Sequence, residues 1–144
     1  MKHEPKLLRH TPWYEISYFA ASRILQLTWA TPPSQEEYKA GTQAFLETVQ
    51  QHKPKKLISD NSKRGNPLPQ DLLWLTHKVI PVLCQENVEQ LAMVVPHDPH
   101  HARSLECCLM TSGGCYDLQF FHSTADAFDW LFHSSSRSGG RAVA

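Results

Sequence analysis

The stretch KKLISDNSKRG, residues 55–65, decides the fold and marks the expected working surface. Its short apolar run is typical of a buried strand. The strand ends in a carboxylate, an amide and a hydroxyl, which two cations and a glycine follow before a long apolar helix begins near Pro69. Open α/β sheets bind their ligands at the carboxyl ends of the strands. We therefore expect these polar side chains to lie at a functional edge of a sheet.

Upstream, the sequence predicts an antiparallel hairpin and then a helix. Residues 13–20 and 23–30 both alternate between apolar and polar positions, and the small residues 20–22 lie where the two runs meet. Ser34 and Glu37 have the spacing of a capping box. Apolar residues then recur at helical spacing until about His52, before a proline that ends the helix.

Downstream, helices and strands alternate. A helix from about Pro69 contains Pro81, so we expect a kink or an early end there. The later elements are a buried strand, a weaker helix, a last strand and a short helix, at residues 90–95, 100–110, 116–121 and from 123 or 124 onward. This order predicts an α/β fold with a mixed, mostly parallel sheet of about five strands and about four helices.

Length and composition indicate one domain. The 144 residues fit a single core, which we assign to residues 13–133, after an N-terminal extension at 1–12. Residues 134–144 are Ser, Gly and Arg with little apolar content, and they predict a disordered tail.

The charge balance, the lengths of the apolar runs and the cysteine spacing exclude several classes of function. The chain has 14 basic and 14 acidic residues and no basic stripe, which argues against nucleic-acid binding. No apolar run approaches the roughly 18 residues of a membrane span, and no signal peptide is evident. The four cysteines form no CxxC pair. Free thiols in a reducing cytoplasm are the simplest interpretation.

The polar residues at the end of the strand within residues 55–65 have three interpretations. In the first, Asp60 and Asn61 fix a polar ligand or the backbone of a partner, while Lys63 and Arg64 supply positive charge. In the second, Ser62 is phosphorylated, which adds negative charge beside these two cations. In the third, the polar side chains only hydrogen-bond the backbone of a tight turn.

Other chemistry has weaker support. His97, His100 and His101 cluster, but their spacing fits none of the familiar zinc sites, so we expect no metal. Cys107 or Cys108 with a histidine could form a hydrolase dyad, although no local signature supports one. We expect no cofactor, because no nucleotide-binding motif occurs.

Two residues of the helix that begins near Pro69 are also candidates. Asp71 could converge with Asp60, but it is equally explained as an acid in the first turn of a helix. Trp74 lies slightly off the apolar stripe and could form the wall of a pocket above Asp60 or cover a dimer surface, although packing in the core is the commoner role of a tryptophan.

The order of several motifs resembles the SpoIIAA-like (STAS/SEC14-type) family of small bacterial proteins, of the kind found in Bacteroidetes. The resemblance extends from about residue 13 to residue 132. Its motifs are Leu27-Thr28-Trp29, Leu57-Ile58-Ser59-Asp60-Asn61, Trp74-Leu75 with Pro81, Leu91-Ala92-Met93-Val94-Val95-Pro96, and Phe121-His122-Ser123 followed by Ala127-Phe128-Asp129-Trp130-Leu131.

The resemblance implies a β-α superhelix and a non-enzymatic function. Better-understood STAS domains antagonise anti-sigma factors or regulate transporters and signalling complexes, and some are switched by phosphorylation of a serine near the end of this strand. The family's Asp-Ser-Ser-Gly form of that site is absent, and residues 60–63, Asp-Asn-Ser-Lys, are its nearest match.

Together these observations predict a cytoplasmic, non-enzymatic regulatory module that recognises a protein partner or a second copy of itself. The alternatives are a small amphipathic or lipid-like ligand in a pocket near Trp74, and a Ser62 phosphoswitch of the anti-sigma antagonist type. The expected contact residues are Asp60, Asn61, Ser62, Lys63, Arg64 and Trp74.

Overall fold

The computed structural model describes residues 5–65, 69–96 and 115–133. This part of the chain is an α/β fold with a mixed six-stranded sheet, in which the strands lie in the order of the sequence, β1 to β6. The strands are β1 (Lys6–His10), β2 (Tyr14–Phe19), β3 (Ile24–Trp29), β4 (Lys56–Asp60), β5 (Gln90–Val94) and β6 (Asp117–Phe121).

The first three strands are antiparallel. β2 and β3 form the hairpin predicted from the alternating pattern, with Tyr14 paired to Trp29 and Phe19 to Ile24. β1 adds an edge strand with a bulge after Leu7. It lies within the segment that the sequence predicts to be an extension. Most of its side chains are exposed, so it has no alternating apolar pattern to reveal it.

The remaining strands are parallel and share one register. β3 pairs with β4, β4 with β5 and β5 with β6. Helix α1 (Gln35–His52) connects β3 to β4, and the helical stretch 69–85 connects β4 to β5. Both pack on the same sheet face. This is the arrangement expected when right-handed crossovers advance in one direction across a sheet.

Helix α1 begins and ends as its sequence predicts. The backbone N–H of Glu37 donates to Ser34 Oγ at 3.1 Å, and the backbone N–H of Ser34 donates to Glu37 Oε1 at 3.0 Å. These reciprocal bonds satisfy two backbone donors that would otherwise lack partners. The helix ends at His52, and Lys53 follows in the left-handed conformation with a φ of 52°.

The helical stretch 69–85 is continuous but changes its hydrogen bonding before Pro81. It consists of α2 (Pro69–Trp74), a π segment (Leu75–Val79) and α3 (Ile80–Gln85). Within it, the N–H of Ile80 donates to the carbonyl of Leu75, five residues earlier. Proline has no N–H and its ring clashes with the carbonyl four residues before it. The wider π segment accommodates Pro81, and α3 continues to Gln85, so the early end is wrong.

The sheet separates two apolar clusters. Residues of α1 and of the stretch 69–85 cover one face, which includes Leu25, Leu57 and Leu91. Helix α4 (Thr124–His133) covers the other face through Ala127 and Leu131. The hydroxyl of Ser123 caps α4 by accepting the backbone N–H of Asp126 at 3.1 Å. The α/β class is confirmed, with six strands in the described part rather than about five, whereas the predicted helix at 100–110 and the tail at 134–144 lie outside the described residues.

Candidate functional site

The strand-end corner, residues 60–64 at the end of β4, is a tight turn closed by Asp60. The backbone N–H and the hydroxyl of Ser62 both donate to Asp60 Oδ1, at 3.1 and 2.7 Å. This is the local bonding that Asp and Ser favour in turns. One oxygen of the Asp60 carboxylate is therefore engaged within the turn, as the third interpretation of this corner expects.

Asn61 points inward. It is 5 % exposed, and its Oδ1 accepts the hydroxyl of Ser59 at 3.2 Å. Its backbone N–H continues the sheet by donating to the carbonyl of Val94 at 2.7 Å. Asn61 is on the same side of β4 as Leu57 and Ser59, because side chains alternate along a strand. It therefore faces the interior rather than an external partner.

Ser62 and Lys63 are the exposed members of the corner, and Asp60 is half-buried beside them. Ser62 and Lys63 therefore form the solvent-facing part of the corner.

Arg64 is buried, which corrects its expected place on the contact surface. It is 7 % exposed, and its Nη2 donates to Asp71 Oδ2 at 3.1 Å. Its guanidinium lies over the ring of Tyr38, with Cζ 4.0 Å from the ring centroid. A planar, weakly hydrated guanidinium is suited to such a stacked and paired environment. The structure thus uses Arg64 to connect the strand-end corner with α1 and α2.

Asp71 is paired with Arg64. It is 4 % exposed, and its Oδ1 accepts Nε2 of Gln35 at 2.9 Å. The carboxylate therefore bonds both to the corner and to the first residue of α1. The sequence explains Asp71 as a first-turn acid, but it gives no sign of this pairing across 36 residues of chain.

A cavity of about 70 Å³ lies between the sheet and the two covering helical elements. It extends along the carboxyl half of β3 to β5, the region in which open α/β sheets bind ligands. Its wall is almost entirely apolar. The lining residues come from both strands and helices and are Leu27, Trp29, Tyr38, Thr42, Phe45, Ser59, Asn61, Arg64, Leu75, Val79, Ile80, Leu83, Leu91, Met93 and Tyr116.

The buried polar lining groups come from α1 and from the corner that follows β4. Tyr38, Thr42, Asn61 and Arg64 are all buried. Burial raises the pKa of Tyr38 to about 12, an effect that Arg64 opposes and Asp71 reinforces. At neutral pH the cavity therefore has a protonated phenol, a hydroxyl, an amide and a guanidinium whose charge a carboxylate balances.

Trp74 lies outside this cavity. It is half-buried, and its ring meets Tyr38 edge-on with 5.9 Å between the centroids. Lys39 Nζ lies 5.8 Å from the Trp74 ring centroid. The cavity is therefore not the pocket lined by Trp74 that the sequence predicts, because Tyr38 lines it and Trp74 does not.

Two of the four cysteines form a disulfide, which corrects the prediction of free thiols. Cys84 in α3 is bonded to Cys115, just before β6, with 5.5 Å between the Cα atoms. The parallel pairing of β5 with β6 brings these residues together, because α3 precedes β5 and Cys115 precedes β6 at the same end of the sheet. The cytoplasmic location that we inferred from free thiols loses this support.

Within residues 5–65, 69–96 and 115–133, no group of three His, Cys, Asp or Glu side chains could hold a metal ion. His97, His100 and His101 lie outside the described residues, as do Cys107 and Cys108. In the described part of the chain, no helix is long and apolar enough to cross a membrane.

Comparison of the chain with protein-family models, with curated proteins and with solved structures finds no match. The interpretation of the site therefore depends on its own geometry.

Sequence reasoning missed Tyr38, Thr42 and the pairing role of Asp71. The available signal was a tyrosine and a threonine four residues apart on the apolar face of α1. Side chains at this spacing are neighbours on a helix. Buried hydroxyl groups also require partners.

Proposed function

We propose that this protein is a non-enzymatic binding module that takes a small, mainly apolar molecule into the cavity between the sheet and the helical stretch 69–85. The observation that carries the proposal is an apolar cavity with a few buried polar groups, at the carboxyl ends of parallel strands. Ligand pockets generally combine apolar walls with a small number of placed polar groups. The resemblance to STAS domains also implies binding rather than catalysis.

The charge of the site favours an uncharged ligand. Arg64 is already paired with Asp71, so a buried carboxylate on the ligand would have no free cation opposite it. Burying an unpaired charge costs far more than burying a hydrogen-bonded hydroxyl. The hydroxyl groups of Tyr38 and Thr42 and the amide of Asn61 are suited to one neutral polar group on the ligand.

The volume limits the size of that ligand. A cavity of 70 Å³ has room for about two water molecules. It is about half the volume of an engineered apolar cavity of roughly 150 Å³ that binds benzene or xenon. Xenon is therefore the appropriate probe for the cavity as it stands, and a larger ligand requires the π segment or its neighbours to move.

Xenon binding followed by NMR tests the proposal. Chemical shifts of the methyl groups of Leu27, Val79 and Leu83 should change under xenon pressure, and those of Leu131 on the opposite face should not. Leu91→Phe places a ring in the cavity and should abolish the shifts. Leu131→Phe is the matched control, because it makes the same change at a fully buried residue that does not line this cavity.

The two variants, Leu91→Phe and Leu131→Phe, should also differ in their free energy of unfolding. Overpacking costs about 1–3 kcal/mol in a filled core, so Leu131→Phe should lower the free energy of unfolding more than Leu91→Phe. Xenon shifts that persist in Leu91→Phe, or that appear equally around Leu131, would contradict the proposal.

The exposed corner favours a second candidate function, namely recognition of a partner or of a second copy. Ser62 and Lys63 are exposed beside Asp60, and the hydroxyl of Ser62 lies 2.7 Å from a carboxylate oxygen. A phosphate on Ser62 would place its charge against that carboxylate and open the turn, while Lys63 would attract it. This geometry suits the predicted phosphoswitch.

Light scattering at increasing protein concentration tests self-association through the corner. Lys63→Glu reverses the exposed charge and Ser62→Glu imitates the phosphate, so both should weaken a dimer. Ser62→Ala should preserve it. A protein that stays monomeric at all concentrations argues against the homodimer, and a dimer that tolerates all three changes argues against this surface.

A further inference from the structure

The Cys84–Cys115 disulfide lies beside the wall of the cavity. Leu83, next to Cys84, and Tyr116, next to Cys115, both line it. Cys84 itself packs against the same apolar cluster. The bond therefore joins two wall elements that are 31 residues apart in sequence.

Each of these elements is at the end of a regular structure. Leu83 and Cys84 lie in the last turn of α3, which ends at Gln85. Tyr116 precedes β6, whose pairing with β5 begins at Asp117 and Gln90. The ends of helices and strands open locally at lower free energy than the central strands of a sheet. A covalent connection between them consequently restrains the part of the wall that could open most easily.

We propose that the Cys84–Cys115 disulfide is a redox-controlled latch on the cavity: its reduction speeds ligand entry and release. The proposal rests on ligand binding in the cavity. When the disulfide is present, α3 and the segment before β6 are held together, so Leu83 and Tyr116 separate only slightly. When it is reduced, these two side chains can move apart without breaking a covalent bond.

Reduction by a dithiol gives a balanced reaction. Cys115 is exposed and Cys84 is half-buried, so one thiolate of the dithiol attacks the Cys115 sulfur and Cys84 leaves as a thiolate that takes up a proton. The second thiol of the dithiol then loses its proton and attacks the mixed disulfide. Cys115 is released and protonated, and the dithiol has become a disulfide. Two electrons and two protons have passed to the protein.

Saturation-transfer NMR with hyperpolarised xenon measures the exchange directly. The oxidised and the dithiol-reduced full chains are compared, together with Cys84→Ser/Cys115→Ser. We expect xenon release to be at least about tenfold faster in the reduced chain and in the double variant than in the oxidised chain. Cys107→Ser/Cys108→Ser is the control for the other two cysteines, and it should retain the full response to the dithiol.

The outcomes separate the two proposals. Xenon binding with equal release rates in both redox states overturns the latch and leaves the ligand cavity in place. An absence of xenon binding in every form overturns the proposed function and the latch with it. Loss of the folded state on reduction, seen by circular dichroism, also overturns the latch, because the disulfide would then be structural.

Discussion

Arg64 and Asp71 form an ion pair inside the protein, with Arg64 Nη2 donating to Asp71 Oδ2 at 3.1 Å while both side chains are buried. The pair joins the corner after β4 to the first turn of α2. Through Gln35 it also reaches the start of α1. Three elements around the cavity are thereby connected by one buried carboxylate.

Removing the carboxylate should destabilise the fold strongly. Asp71→Ala leaves the Arg64 charge buried without its partner, and such losses cost about 3–5 kcal/mol. Urea unfolding measures the free energy. Glu86→Ala is the control, because its partner Lys53 is largely exposed and exposed pairs contribute at most about 1 kcal/mol. Equal losses in the two variants would show that the buried pair has no special role.

High pH should destabilise the protein through Tyr38. Its pKa is raised from 10.0 to about 12, chiefly by burial. The unfolded chain loses this proton near its ordinary pKa, so the stabilising contribution is complete below pH 10 and falls as the pH rises to 12. We expect this to cost about 2–3 kcal/mol across that window. Tyr38→Phe lacks the phenol and should lose correspondingly less, as urea unfolding at several pH values would show. Parallel curves for the two proteins would contradict this.

Gly41→Ala should reduce stability although alanine favours helices. The added Cβ would lie 2.6 Å from Trp29 Cη2 and 2.9 Å from Tyr14 Cδ2, both in buried rings. Overpacking costs about 1–3 kcal/mol, which exceeds the roughly 1 kcal/mol gained in helix propensity. Trp29→Phe removes the nearest atom, so the double variant should lose less than the sum of the single losses. Additive losses, measured by thermal unfolding, would place the strain elsewhere.

Asp60→Ala separates the two candidate functions. The variant loses two hydrogen bonds within an exposed turn, which should cost at most roughly 0.5–1.5 kcal/mol each and leave the fold intact. Asp60 does not line the cavity, so xenon shifts should be unchanged. Self-association through the corner should be abolished. Lost xenon shifts in a folded variant would contradict this assignment of roles.

Local patterns predicted several elements well. The capping box of Ser34 and Glu37, the β2–β3 hairpin and the end of α1 at His52 all follow from residues near each other in sequence. Their physical causes are equally local: backbone capping, side-chain alternation and a following proline. β1 was missed because an exposed edge strand needs no apolar alternation.

Pairings between distant residues could not be predicted. The Gln35–Asp71 bond, the stacking of Arg64 on Tyr38 and the Cys84–Cys115 bond all depend on which elements become neighbours. Spacing in sequence carries no information about such contacts once a helix or a strand intervenes. For this reason Arg64 was placed on the surface and the cysteines were expected to be free.

The sequence by itself determined the alternation of strands and helices and the position of the polar corner at the end of β4, because these depend on local propensity and periodicity. Only the tertiary structure decided which corner residues are available. Chain packing turned Asn61 and Arg64 inward beside an apolar cavity and left Ser62 and Lys63 outside. That division depends on the helices that cover the strand end, since burial is a property of neighbouring elements and not of the residues alone.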